Sequence, residues 1–147
     1  MEKKFSLPQD GGLVMSGIPK DIIHRYEKIP TSIYETEYDG VKYIVDVIVK
    51  AINAHKATHP FALGLTTGRT PLGLYQELVA SYKQGKVSFK NVQVFSIVEF
   101  YPIGAGEMQS RNYRIHEDFL NHIDIEPANV HIINGNVPLE ELPAYCA

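Results

Sequence analysis

One stretch, Phe61 to Tyr101, limits what this chain can fold into more than any other. The run Phe61-Ala62-Leu63-Gly64-Leu65 is short and apolar and gives way to Thr66-Thr67, which reads as a strand and its end. Gly68 then allows a turn that a residue with a Cβ would resist. Thr70-Pro71 predicts a helix start, with a hydroxyl at the N-cap and proline at the first helical position, where no amide hydrogen is needed. Leu74, Tyr75, Leu78, Val79 and Tyr82 recur at three- and four-residue spacing, so one face of this helix is apolar. Gly85 fits its C-terminal cap. The run Val92 to Val98 is rich in β-branched residues and predicts a second, buried strand. Together these form a βαβ unit, which requires parallel strands and a right-handed crossover.

The loop between strand and helix admits two readings. Thr66 to Thr70 put backbone N–H groups, hydroxyls and Arg69 at a helix N-terminus, where unpaired donors and the helix dipole favour an anion. The same residues also suit an ordinary turn that merely needs glycine. A nucleotide P-loop is excluded, because G-x-x-x-x-G-K-[ST] is absent.

At 147 residues and 44% hydrophobic content, the chain suits one soluble domain with a core. A net charge of −3 gives no electrostatic case for nucleic acid or an anionic membrane. No apolar run approaches the ~20 residues that span a bilayer. Met1 to Gly12 lacks the apolar core of a signal peptide, so a cytoplasmic location is expected. Residues 1–24 read as a partly flexible leader and residues 25–147 as the domain, with Ile22, Ile23 and Tyr26 suggesting a short helix across their junction that packs on the domain. Thr31 to Thr36 suggests an edge strand. Val41, Ile44, Val45, Ile48 and Ile52 pattern a helix from about Tyr38 to His55. His55 fits a cation at that helix's C-terminus and His59 a loop residue.

Beyond the central unit, Tyr101 to Gln109 is a loop at the C-terminal end of a parallel strand, where open α/β sheets place ligand crevices. Ser110 caps a helix that buries Ile115, Phe119, Leu120 and Ile123. His116 and His122, six apart, share no helix face, and no metal site is expected. Asn129 to Ile133 reads as a strand and Gly135 to Pro138 as a turn. Pro138 to Leu142 reads as a helical turn that Pro143 cuts short.

Gly64-Leu65-Thr66-Thr67-Gly68-Arg69-Thr70-Pro71-Leu72-Gly73-Leu74-Tyr75 and Val87-Ser88-Phe89-Lys90-Asn91-Val92 closely resemble the glucosamine-6-phosphate deaminase (isomerase) family. So do His122-Ile123-Asp124-Ile125 and Asn134-Gly135-Asn136-Val137-Pro138, in the same order and at similar spacing. The resemblance begins near Arg25, and Arg25 to Thr31 looks like the longer deaminase-like proteins. It implies a Rossmann-like α/β domain, a parallel sheet flanked by helices, of which this chain is the incomplete N-terminal part. It implies no cofactor, a small-molecule sugar phosphate as ligand, and homo-oligomers of the complete protein.

The resembled enzymes convert glucosamine 6-phosphate to fructose 6-phosphate and ammonia by aldose–ketose isomerisation through an enolamine. Their base is the aspartate of an N-[ML]-D-E-[YF]-like motif, a carboxylate held within reach of an acidic C–H. The matching residues here are Ser96-Ile97-Val98-Glu99-Phe100, so Val98 occupies the place of the base and cannot accept a proton. Glu99 is the neighbouring carboxylate and the candidate to stand in as base: it points to the opposite face if the strand persists and reaches the site if the chain has already turned. Thr67, Gly68, Arg69 and Thr70 match the family's T-G-[GS]-T phosphate loop, with Arg69 in place of a small residue. Arg69 either adds a bidentate phosphate contact, fills the sugar's space, or points to solvent. Gln109-Ser110 matches the family's [QE]-S, and Arg111 stands where tyrosine is usual. The resemblance therefore implies an amino-sugar phosphate enzyme whose present chain lacks the base and a second catalytic segment. A non-catalytic sugar-phosphate-binding module and a 6-phosphogluconolactonase-like hydrolase are the alternatives.

Overall fold

The structure, a computed structural model, describes residues 32–55 and 59–146. The leader and the helix expected around Ile22 to Tyr26 lie outside them. The chain divides into two compact units, residues 1–40 and 41–147. In the first, the described residues from Ser32 onward form no strand, contrary to the expectation for Thr31 to Thr36. Thr36 instead turns the chain into a helix. Its Oγ1 accepts from the Asp39 amide at 3.2 Å and donates to Asp39 Oδ2 at 2.6 Å. This reciprocal cap satisfies a donor that the first helical turn leaves open.

That helix, α1, spans Glu37–Ala54. His55 closes it, its Nδ1 lying 2.8 Å from the Ala51 carbonyl. There follow β1 (Phe61–Leu65), α2 (Arg69–Lys83), β2 (Val92–Ser96) and α3 (Arg111–Asp118). Single 3₁₀ turns at Leu120–His122 and Pro127–Asn129 lead to β3 (Val130–His131) and α4 (Leu142–Tyr145). Pro143 lies at the start of α4 rather than ending it, because proline is tolerated in a first turn whose amides have no intrahelical partner. β3 is shorter than the run Asn129 to Ile133 suggested. The Ile133 amide leaves the ladder and donates to Ser96 Oγ at 2.9 Å.

The three strands are parallel in the order β1-β2-β3. Phe61, Leu63 and Leu65 lie opposite Val92, Val94 and Ser96, and this face meets the helices. Val45 and Ile52 of α1, Leu78 and Val79 of α2, and Ile115 of α3 join Leu65, Val92 and Val94 in one hydrophobic cluster. At its centre the Phe119 ring stacks on Tyr75 at 4.9 Å and meets Phe89 edge-on at 5.4 Å. On the other face Ala62, Gly64 and His131 are exposed and Phe95 is 42% exposed. β2 is thus buried on one face and not, as its composition suggested, on both.

Two of the short motifs hold each other. Asp124 accepts from Ser88 Oγ and from the Phe89 amide, both at 2.7 Å. This fixes the entry to β2 against the segment that follows α3.

Candidate functional site

β1 and β2 run parallel and end side by side, Leu65 opposite Ser96. The loops leaving them therefore share the C-terminal edge of the sheet, where α/β folds bind ligands. Tyr75 anchors the first loop. Its hydroxyl accepts from the Thr66 amide at 3.2 Å and donates to the Thr66 carbonyl at 2.6 Å. Burial raises the pKa of this phenol, so it keeps its proton for that bond.

The N-cap of α2 is Gly68, not Thr70, and the helix begins at Arg69. Gly68 has φ 129° and ψ −175°, a region open to essentially no residue but glycine. That conformation starts the helix two residues earlier than Thr70 implied, leaving Pro71 within the first turn, where its missing N–H is harmless. No side chain caps this terminus, so the donors and dipole of the first turn face outward. Arg69 and Thr70 are exposed. A Cβ on Gly68 would meet nothing within 4 Å, so any cost of substitution comes from the backbone alone. Gly68→Ala is expected to destabilise the fold by about 1–2 kcal/mol, read as a shift in urea midpoint. An unchanged midpoint would show that this loop conformation is not the one described.

The second loop begins earlier than expected. The Ile97 amide still donates to the Leu65 carbonyl at 3.1 Å, but β2 ends at Ser96, so Val98 lies beyond the strand, 46% exposed. Glu99 has turned toward α3. Its Oε1 accepts from the amides of Phe100 at 2.8 Å and Arg111 at 2.9 Å. Its Oε2 accepts from Ser110 Oγ at 2.9 Å and the Asn112 amide at 2.8 Å. Burial pushes this carboxyl up, but the amides of Arg111, Asn112 and Phe100 and the Ser110 hydroxyl outweigh it and hold the pKa below the ordinary value. A carboxylate so committed is a poor proton acceptor. Ser110, fully buried, also accepts from the Tyr113 amide at 3.3 Å and is the N-cap of α3.

Arg111 joins the two loops. Its Nη1 donates to Thr67 Oγ1 at 2.7 Å, and its guanidinium lies 4.4 Å above the centre of the Phe100 ring. Its Nε is buried without a partner. Gly135 supports this arrangement from behind, its carbonyl accepting from the Ile103 amide at 2.8 Å. Local spacing could not reveal the reach of Arg111 to Thr67 or of Glu99 to α3. Gly135 stands inside the Asn134-Gly135-Asn136 motif and at the start of the turn read over Gly135 to Pro138, and neither signal pointed to its contacts with the loop after β2.

Cavities of about 430 and 410 Å³ lie elsewhere. One is lined by α2 and α3 residues such as Gln76, Lys83 and Glu117. The other is lined by residues including Asn112, Ile125 and Ile132. Among the described residues no group of three or more His, Cys, Asp or Glu side chains could hold a metal, and no helix is long and apolar enough to cross a membrane.

A parallel sheet flanked by helices, with a helix N-terminus that no side chain caps at its C-terminal edge, defines an incomplete α/β domain. Comparison narrows this: residues 35–147 match the family described as glucosamine-6-phosphate isomerases/6-phosphogluconolactonase, and the chain belongs to that family. It is 42% identical over 116 residues to a glucosamine-6-phosphate deaminase of Drosophila pseudoobscura pseudoobscura, an alignment covering 78% of this chain and 42% of the fly protein. The structure of a monomeric glucosamine-6-phosphate deaminase superposes with a TM-score of 0.70 at 26% identity, over 77% of this chain and 45% of that one. The 6-phosphogluconolactonase of Thermotoga maritima gives 0.60 at 25%, over 76% and 49%. The chain thus spans less than half the length of these relatives.

Proposed function

We propose that this chain supplies the phosphate-binding half of an amino-sugar phosphate site of the glucosamine-6-phosphate deaminase kind, without supplying the base. The observation that carries the reading is the loop Thr67–Thr70. Gly68 adopts a glycine-only conformation that starts α2 with no side-chain cap, as backbone-donated anion binding requires. In a deaminase the base moves a proton from C2 to C1 of the opened sugar phosphate, and water then displaces ammonia to leave fructose 6-phosphate. Val98, at the position of that base, has no proton acceptor, and Glu99 is held on the amides of α3. Loss of a general base costs on the order of 10²–10⁴ in rate. The chain is therefore a ligand-binding unit that does not turn substrate over by itself.

Calorimetric titration with glucosamine 6-phosphate, using unphosphorylated glucosamine as control, tests the reading. Binding that depends on the phosphate is the expected result, with no ammonia release above the buffer rate. Binding of both sugars alike, or of neither, would remove the phosphate loop from the account. Ammonia release by the chain as it stands would show that the base lies elsewhere than position 98.

A lactonase-like reading shares the loop and needs no enolisation base, which is the feature absent here. The match at 42% identity to a deaminase favours the amino-sugar reading. Hydrolysis of 6-phosphogluconolactone by this chain would reverse that preference.

A further inference from the structure

We propose that Arg111 is a ligand-binding residue, its guanidinium forming the second wall of the anion site at Thr67 and Gly68 and holding the phosphate ester of a sugar phosphate. The inference rests on the sugar-phosphate reading above and goes further by assigning this side chain to the bound phosphate.

Three features of the side chain point outward to an anion. Its only protein acceptor among the described residues is the neutral hydroxyl of Thr67, and no carboxylate there pairs with its charge. Glu99 meets Arg111 through the backbone amide alone. Nε is buried and unpartnered, whereas Nη2, also without a partner, is not buried. An arginine used only to tie two loops together gains little from so sparse a pairing, since its planar fork suits bidentate acceptors such as carboxylate and phosphate.

The polarity of the Thr67 bond supplies the second argument. A guanidinium can only donate, so Thr67 Oγ1 accepts from Nη1 and its own hydrogen remains available. The Thr67 hydroxyl, the outer edge of Arg111 and the uncapped first turn of α2 are then all donors at one edge of the sheet. A phosphate monoester, with three acceptor oxygens and about two negative charges, matches that set.

The third argument is preorganisation. The guanidinium carbon lies over the Phe100 ring, the Arg111 amide is bound to Glu99, and the first residue of α3 is Arg111 itself. The cation is held at both ends before any ligand arrives, which lowers the ordering cost of binding. Arg69 is exposed and has no hydrogen bond among the described residues, so it lacks this advantage.

The test is a titration of the full chain, labelled with ¹⁵N, with inorganic phosphate and with glucosamine 6-phosphate, glucosamine serving as control. The Nε–H signal of Arg111 and the amide of Gly68 are followed, and Arg111→Lys is compared with the unmodified chain. Both signals are expected to shift with phosphate-bearing ligands alone, and Arg111→Lys to bind about tenfold or more weakly. No phosphate-dependent shift at Gly68 would overturn the loop reading and this inference with it. A Gly68 shift with a stationary Arg111 Nε–H would overturn this inference alone. So would Arg111→Lys binding as tightly as the unmodified chain. The Nε–H signal is read on the unmodified chain, so the test stands even if the variant does not fold.

Discussion

Substituting alanine for Gly135 is expected to lower the stability of the fold by about 3 kcal/mol, the upper end of what overpacking costs. A Cβ there would lie 2.5 Å from the Phe100 carbonyl oxygen, 2.6 Å from Ile103 Cγ2 and 2.9 Å from Glu99 Cγ. The first of these is backbone, which cannot rotate aside. All three belong to the loop that follows β2, so relief requires that loop to move as a piece. It carries Phe100, whose ring lies beneath the Arg111 guanidinium, and Glu99, which holds the start of α3. Phosphate-dependent binding is therefore expected to weaken together with stability. Urea denaturation monitored by circular dichroism gives the first quantity and calorimetry the second. A midpoint unchanged from the parent chain would mean that the Gly135 segment does not press on this loop.

Glu99→Ala is expected to cost about 2–3 kcal/mol at neutral pH, because it leaves three amides and the Ser110 hydroxyl without their charged acceptor. The same carboxylate predicts a pH dependence. Its folded-state pKa lies below the ordinary value of 4.5, which approximates the unfolded chain. Between those two values the unfolded state binds more protons, so stability rises with pH across that window. The contribution is fully present above the unfolded value and is lost as pH falls through the folded one. The gap between the parent chain and Glu99→Gln is therefore expected to be widest near pH 7 and to narrow progressively below about pH 4.5. A gap that stays constant down to pH 2 would show that Glu99 is not held as a carboxylate. The prediction also separates two roles for this residue. A structural acceptor changes the stability curve, whereas a catalytic base would change rate and leave stability alone.

What was legible in the sequence was local. The short apolar run Phe61–Leu65, ending at Thr66-Thr67, and the three- and four-residue spacing of Leu74, Tyr75, Leu78 and Val79 place β1 and α2 because each pattern concerns near neighbours in the chain. Gly85, with φ 70°, closes α2 one residue past its cap Gln84 for the same reason. Ser110 was readable as a cap, since its acceptor role toward Tyr113 spans three residues. Element ends were less so. Thr70-Pro71 is a well-formed start signal, yet the conformation open to Gly68 moved the helix start two residues earlier.

The site followed the same division. The sequence by itself determined the parallel βαβ unit, the glycine of the loop between β1 and α2 and the absence of a carboxylate at position 98, all properties of residue type and short spacing. Only the tertiary structure decided that Glu99 caps α3, that Arg111 reaches Thr67 across 44 positions, and that Gly135 sets how closely two loops approach. It also left one face of the sheet, around Gly64 and Phe95, open. The physical reason is that a side chain's hydrogen-bond partners and the space around a Cβ depend on which segments the fold brings together. Parallel strands joined by crossovers bring together segments that lie far apart in the chain.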